Sequence, residues 1–374
     1  MVQPSVSVFK GCLLGMAVGD AMGATVDKKS YSEICESYGP AGLLGYDLVN
    51  GMAEITSYTQ LAAYTCNALL LATARGQKGT AAYMSWIEKA LKEWARVQHL
   101  PGAPERRNCW LSHVSRMRSR RSMDARTLDA LTRDVLGTPK EPANQGAGPG
   151  TLTAAVSIGL FFHPEKMQFG EIGQLGAQTV ALTHGEPMAF LSGAVLAYAV
   201  AGIVQDPNCP MQEQFLQAAQ AVTLQYGSTF PQAQRLQSVI SDAIALARDP
   251  QLHPVQAMER IGCNTASQVL AGAVYAVLAS GEDFDNAMIM AVNHSGKSAA
   301  VGAVVGALLG AKFGEESLPD FYLECLDTVQ TLRELAADLH TACPKGWHTR
   351  LFDDDWDRKY TYGKPVDREG WAEV

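Results

Sequence analysis

Apolar residues recur every three to four positions along most of this chain, and strict apolar–polar alternation is almost absent. That period belongs to helices with one or more buried faces, not to half-buried strands. The segment 57–76 (SYTQLAAYTCNALLLATARG) opens on Ser57 with Gln60 three residues later, a capping-box pattern, and stops at Gly76. The next, 80–101, opens on Thr80 and ends at Pro101. Residues 172–184, 186–204, 211–226, 231–248, 254–262, 265–280, 283–293 and 319–341 carry the same period. The pattern predicts an all-α fold, compact and built from a dozen or more helices.

Two glycine series interrupt the hydrophobic pattern in a regular way. Gly11, Gly15, Gly19 and Gly23 fall four residues apart near the start, and Gly302, Gly306, Gly310 and Gly314 do so near the end. Residues four apart share a helix face, so each series makes a strip without side chains. An interior glycine costs about 0.8–1 kcal/mol relative to alanine. Close approach of another helix backbone is the simplest offset, and tight core packing explains the glycines without chemistry.

Three stretches break the period. Residues 105–122 carry Arg106, Arg107, Arg116, Arg118, Arg120 and Arg121, which reads as a solvated helix face rather than a phosphate site. Residues 141–155 (EPANQGAGPGTLTAA) form a loop entering a helix whose first turn suits an anion. The end of the chain is polar, aromatic and poor in periodicity. It is expected to wrap the surface, with Asp353, Asp354 and Asp355 solvated.

Composition narrows the class. The chain has 374 residues, 47% hydrophobic and 18% charged, enough for a large core. A net charge of −8 excludes a general nucleic-acid binder. Eight scattered cysteines have no CxxC spacing, so they suggest reduced core thiols rather than a zinc site. The start of the chain shows no signal-peptide pattern, and the apolar run 298–311 is shorter than the roughly 17–25 residues that span a bilayer. The expectation is a cytoplasmic protein with no membrane partner and no nucleic-acid partner. Oligomeric state is not legible here.

Four stretches in order resemble the ADP-ribosylglycohydrolase family, which includes the dinitrogenase-reductase-activating glycohydrolase and the ADP-ribosylarginine hydrolases. They are GCLLGMAVGDAMGA (11–24), ITSYTQLA (55–62), GPGTLTAAVSIGLFF (148–162) with LTHGEPMAFLSGAVLAYAVA (182–201), and DFDNAMIMAVNHSG (283–296) continuing into KSAAVGAVVG. The resemblance covers roughly residues 8–315. It implies one all-α domain over 1–315, with 316–374 as a C-terminal helix and tail packed on it.

In that family two aspartate-bearing segments hold a pair of divalent ions, usually magnesium. One begins a helix as Thr-Asp-Asp-Thr; here the matching residues are Thr56, Ser57, Tyr58 and Thr59. The other reads Gly-Gly-Asp-Thr-Asp-Thr; here it is Ser295, Gly296, Lys297, Ser298, Ala299 and Ala300. All four carboxylates are replaced, and Lys297 stands in place of one. Hard divalent ions need several oxygen ligands, so the magnesium site is expected to be absent. Lys297 then either supplies a fixed charge for an anion or fills the vacated volume beside an acid such as Asp20 or Glu54.

The third stretch departs as well. Many members have Gly-Asn-Gly leading toward Met-Arg, where this chain has Gly148, Pro149 and Gly150, then Leu152, Thr153 and Ala154. His184 matches the family's Thr-His pair, and Asp20 reads as a cap or bridge between helices. The resemblance thus points to a degenerate member lacking the dinuclear metal site. It would bind an ADP-ribose-like anionic small molecule, an ADP-ribosylated protein or another partner. Its lining would come from Thr56, Ser57, Tyr58, Thr59, Gly148, Gly150, His184, Asn293, Lys297 and Ser298. The alternative is a metal-independent glycohydrolase acting on an N- or O-glycosidic ADP-ribose bond, with Glu33, Glu36, Asp47 or Glu54 as its acid.

Overall fold

The structure, a computed structural model, describes residues 4–99, 107–162, 167–342 and 354–366. The expected helix end at Pro101, Arg106, and Asp353 with most of the tail around it lie outside those residues. The described chain is helical throughout, with two isolated β-bridges, Val49–Met52 and Ala53–Leu326, and no sheet.

In order the α-helices are α1 Val6–Ala24, α2 Tyr31–Tyr38, α3 Ser57–Ala74, α4 Thr80–His99, α5 Ser115–Arg118 and α6 Ala125–Leu131. There follow α7 Ala154–Phe161, α8 Phe169–Ala181, α9 Pro187–Gln205, α10 Met211–Tyr226, α11 Gln232–Ala247 and α12 Pro254–Ile261. The last six are α13 Ala266–Ala279, α14 Phe284–Val292, α15 Ser298–Phe313, α16 Asp320–Glu324, α17 Val329–Ala342 and α18 Asp354–Tyr360.

The two glycine strips pack on each other. Helices α1 and α15 run antiparallel, pairing Gly11 with Gly310, Gly15 with Gly306 and Gly19 with Gly302. A Cβ on any of these would fall on the facing glycine's carbonyl oxygen. Gly23 meets the backbone of Ser298 and Ala299, so the contact runs to the first turn of α15. Contact at this range replaces side-chain packing by backbone dispersion and Cα–H···O contacts. Both helices are buried over most of their length, as is α9, which packs against α7, α8, α10, α13 and α15. By length and apolar composition α1 and α9 would suffice to cross a bilayer, but 78% and 89% of those spans is buried inside the fold.

Several boundaries differ from the sequence expectation. Thr56, not Ser57, is the N-cap of α3, and Gln60 makes no capping box. Its amide donates instead to Arg116 O and Ser119 O, both at 3.0 Å, and accepts from Trp94 Nε1. Helix α8 starts at Phe169, where Gln168 and Glu171 form a capping box, and it ends at Ala181, which leaves His184 outside the helix. The stretch 319–341 is two helices, broken where Ala53 pairs with Leu326.

The arginine-rich stretch is not a continuous helix: a 3₁₀ turn, Trp110–His113, precedes the four-residue α5. Arg121 is buried, its side chain 7% exposed, between Glu54 and Asp327 at 2.5 Å each. Near the end of the chain α18 packs on α3, and Lys359 is buried in an ion pair with Glu334 (2.9 Å) and a second with Asp338. That helix is more than the surface wrap expected.

Candidate functional site

The first turns of α3 and α15 and the end of α1 meet at one point, and Asp20 sits behind it, fully buried. Its carboxylate accepts from the Thr56 N–H (2.9 Å) and hydroxyl (2.6 Å), and from the Thr59 N–H (3.0 Å) and hydroxyl (2.6 Å). It therefore caps α3 from another helix, placing negative charge at the positive end of the α3 dipole. Burial pushes the Asp20 carboxyl up to about 6, against the four donors, which pull it down. Its role as a helix bridge follows from this geometry.

The N-terminus of α15 has its own anion. Past α1 the chain turns at Lys28, whose φ is +68° and whose N–H donates to Gly296 O at 2.8 Å. That turn presents Asp27, whose Oδ1 accepts from the Ala299 N–H at 3.3 Å. Burial raises the Asp27 carboxyl, while the ammonium groups of Lys297 and Lys28 pull it down. Lys297, the N-cap residue, is held by its backbone N–H on Cys263 O (2.9 Å) and faces the same gap as Asp27. The start of α15 thus has a carboxylate, Asp27, on its first-turn N–H, and the Lys297 ammonium acts on that carboxylate through space without a direct ion pair. Neither of the partners expected from sequence is used: Asp20 is committed to Thr56 and Thr59, and Glu54 to Arg121.

The gap itself is bordered by Asp27, Lys28, Thr56, Tyr58, Lys297 and Ala299. Ser122, Met123 and Asp124 line the rest of it. The free volume among these side chains is about 10 Å³, room for the centre of a single water. Among the described residues the Lys297 ammonium has no hydrogen bond and no ion pair within 4 Å.

Asp124 links this gap to the glycine loop. Its Oδ1 caps α6 by accepting from the Arg126 N–H at 2.8 Å, and its Oδ2 lies 4.0 Å from His184 Nε2. A Cβ on Gly148 would lie 3.2 Å from that same Oδ2 and 3.3 Å from His184 Nε2. On Gly150 it would strike the His184 ring and Thr127 Oγ1, so the loop can wrap the imidazole only because it lacks side chains there. His184 is buried, its Nδ1 shares a hydrogen bond with Thr183 Oγ1 (2.9 Å), and its Nε2 has no hydrogen-bond partner. Burial pushes its pKa down, which favours the neutral ring, while Asp124 pulls it back up.

Of the residues expected from sequence, Thr56, Tyr58 and Lys297 border the gap, and Gly148, Gly150 and His184 adjoin it through Asp124. The others have their polar atoms engaged elsewhere. Thr59 is fully buried on Asp20, Ser57 gives its N–H to Ser122 O (3.0 Å), and Ser298 Oγ donates to Val292 O (2.9 Å). The Asn293 amide clamps Leu43, accepting from its N–H (2.7 Å) and donating to its carbonyl (2.8 Å). Glu33 caps α2, Glu36 lies near Ser32, Asp47 accepts from Tyr38 and Glu54 holds Arg121; none of the four borders the gap. Sequence reasoning missed Asp27 and Asp124, the acids that do. Only the position of Asp27 just past the first glycine series offered a signal.

The family model for ADP-ribosylglycohydrolase matches residues 3–348. Among solved structures, one titled ADP-ribosylglycohydrolase-related protein complex superposes with a TM-score of 0.58 at 23% identity, covering 90% of this chain and 98% of that one. That likeness concerns the fold. No curated protein matches the chain.

Proposed function

The chain belongs to the ADP-ribosylglycohydrolase family, and from that membership we propose that it is a degenerate member whose remade cleft binds an ADP-ribose-like ligand without metal. The observation that carries the reading is Lys297, which borders one gap together with Asp27, Asp124 and Lys28. Two carboxylates countered by two ammonium groups make a poor donor set for a pair of magnesium ions, which want several oxygens each and little opposing charge. The Thr56 hydroxyl cannot make up the deficit, since it already donates to Asp20. Lys297 and Lys28 suit the phosphates of such a ligand, and the Asp27 carboxylate suits its ribose hydroxyls. An ADP-ribosylated protein would present the same chemistry. The seven described cysteines are all free thiols, in keeping with a cytoplasmic place for the protein.

A second reading, metal-independent cleavage of a glycosidic ADP-ribose bond, is favoured by one observation. Burial raises the Asp27 carboxyl, as a general acid requires. Lysine is monovalent and cannot bridge substrate oxygens as two dications do, so such activity would be low.

Calorimetric titration with ADP-ribose, in magnesium and again in EDTA, tests the binding reading. Equal binding in both buffers is expected. Binding that needs magnesium would overturn it, and no binding in either would leave a protein-partner or structural role. Release of ADP-ribose from a modified protein in EDTA, lost in Asp27→Asn, would establish the second reading.

A further inference from the structure

The gap is lined by the starts of α3 and α15, by the turn at Asp27 and Lys28, and by an irregular segment. Residues 119–124 lie between the four-residue α5 and the seven-residue α6 and carry no helical ladder of their own. They are tied down from outside: Gln60 Nε2 to Ser119 O (3.0 Å), the Ser57 N–H to Ser122 O (3.0 Å), and Arg121 to Glu54 and Asp327. The acceptors they bring are those an incoming anion would displace. Ser122 O takes a first-turn N–H of α3. Asp124 borders the same gap as Lys297, and its carboxylate lies 4.0 Å from His184 Nε2, which has no hydrogen-bond partner.

We propose that Ser119–Asp124 is a movable strap, latched by Arg121, that fills the cleft with its own acceptor groups until a ligand displaces it. The space deep among these side chains holds the centre of about one water, so a nucleotide-sized ligand that enters it, rather than resting at its mouth, must move one wall. Thr56 and Tyr58 sit at the start of α3, Lys297 and Ala299 at the start of α15, and Asp27 and Lys28 in a turn pinned to α15 through the Ala299 N–H and Gly296 O. Moving any of these breaks the Asp20 network, the glycine contact or the α15 cap. Moving the strap breaks a few hydrogen bonds and one ion-pair fork, the kind of local opening that folded proteins sample. The latch is placed for this: Glu54 and Asp327 belong to segments already joined by the Ala53–Leu326 bridge, so Arg121 ties the strap to a fixed rim. The strap rests on the binding reading above only for the identity of its competitor.

Hydrogen exchange on the full chain, compared with ADP-ribose titration, separates the two. Arg121→Lys keeps the charge but loses the fork to two carboxylates. Asp124→Asn keeps a side-chain cap for α6 but removes the competing charge. In Arg121→Lys the amides of 119–124 and Ser57 should exchange about tenfold faster or more, with α1 and α15 unchanged. Both variants should bind ADP-ribose about five- to tenfold more tightly, because the open state is no longer scarce. Unchanged exchange at 119–124 in Arg121→Lys would overturn the strap. Weaker binding by Asp124→Asn would make Asp124 a ligand contact and overturn its role as competitor. Faster exchange with no binding by any variant would leave the strap standing and remove the ADP-ribose reading.

Discussion

The Asp20 carboxylate accepts from both the backbone N–H and the hydroxyl of Thr59, at 3.0 and 2.6 Å, thirty-nine residues away in the chain. With the matching pair from Thr56, it fixes the start of α3 against the end of α1 in a site closed to water. Removing the carboxylate strands those donors. Asp20→Ala is expected to lose about 3–5 kcal/mol of stability, measured by urea denaturation at pH 7. A loss below about 1 kcal/mol would mean the cap is dispensable.

The same carboxylate gives stability a pH dependence. Its ordinary value is 3.8 and its folded value about 6, so between those two pH values the folded state keeps a proton the unfolded state has released. This contribution is fully present below about pH 4 and falls as pH rises through about 6, by on the order of 3 kcal/mol. His294, pushed down to about 4 by burial, acts in the opposite sense over much of that range. The difference between wild type and Asp20→Asn at pH 4, 5, 6 and 7 isolates the Asp20 part. That difference should shrink in favour of the variant as pH rises.

Gly306→Ala puts a methyl on the carbonyl of Gly15, where neither backbone can yield without parting the helices. A loss of about 3 kcal/mol or more is expected. Gly45→Ala, where a methyl meets nothing within 4 Å, should stay within about 0.5 kcal/mol. Thermal denaturation of the two variants side by side reads the contrast.

Lys297→Ala distinguishes a binding lysine from a filler. Its ammonium has no hydrogen bond among the described residues, so a stability change within about 1 kcal/mol is expected, with ADP-ribose binding weakened about tenfold or more. A variant that unfolds readily but binds normally when folded would assign the lysine to packing beside Asp27.

Asn293→Ala removes both hydrogen bonds that hold the backbone of Leu43. About 2 kcal/mol should be lost, with faster amide exchange at Leu43 as the local signature. Exchange that stays slow would show the 42–52 loop to be held by its other contacts.

Helical class was legible because period alone reports it. The positions of α10, α11 and α13 follow the sequence reading within a residue or so, and both glycine series point to a close helix contact. Much less of the site was legible. Gln60 looked like a capping-box residue, yet the acceptor at the start of α3 comes from Asp20 on α1, and Gln60 is left to hold Arg116 and Ser119. Arg121 looked like one charge on a solvated face, but its partners lie on the 54 and 327 segments, which no local pattern connects to it.

The residues alone determined that this chain is all-helical, that two helices carry bare glycine faces, and that a lysine stands where the family resemblance places a carboxylate. Periodicity and residue type are local properties, and local properties are written in order along the chain. Only the tertiary structure decided that the glycine faces meet each other and that Asp27 and Asp124 line the same gap as Lys297. It also decided that Asn293 and Ser298 turn to backbone carbonyls instead of the gap. Those outcomes depend on which distant segments share a volume and which buried polar groups must find partners there, and that is settled only when the chain packs.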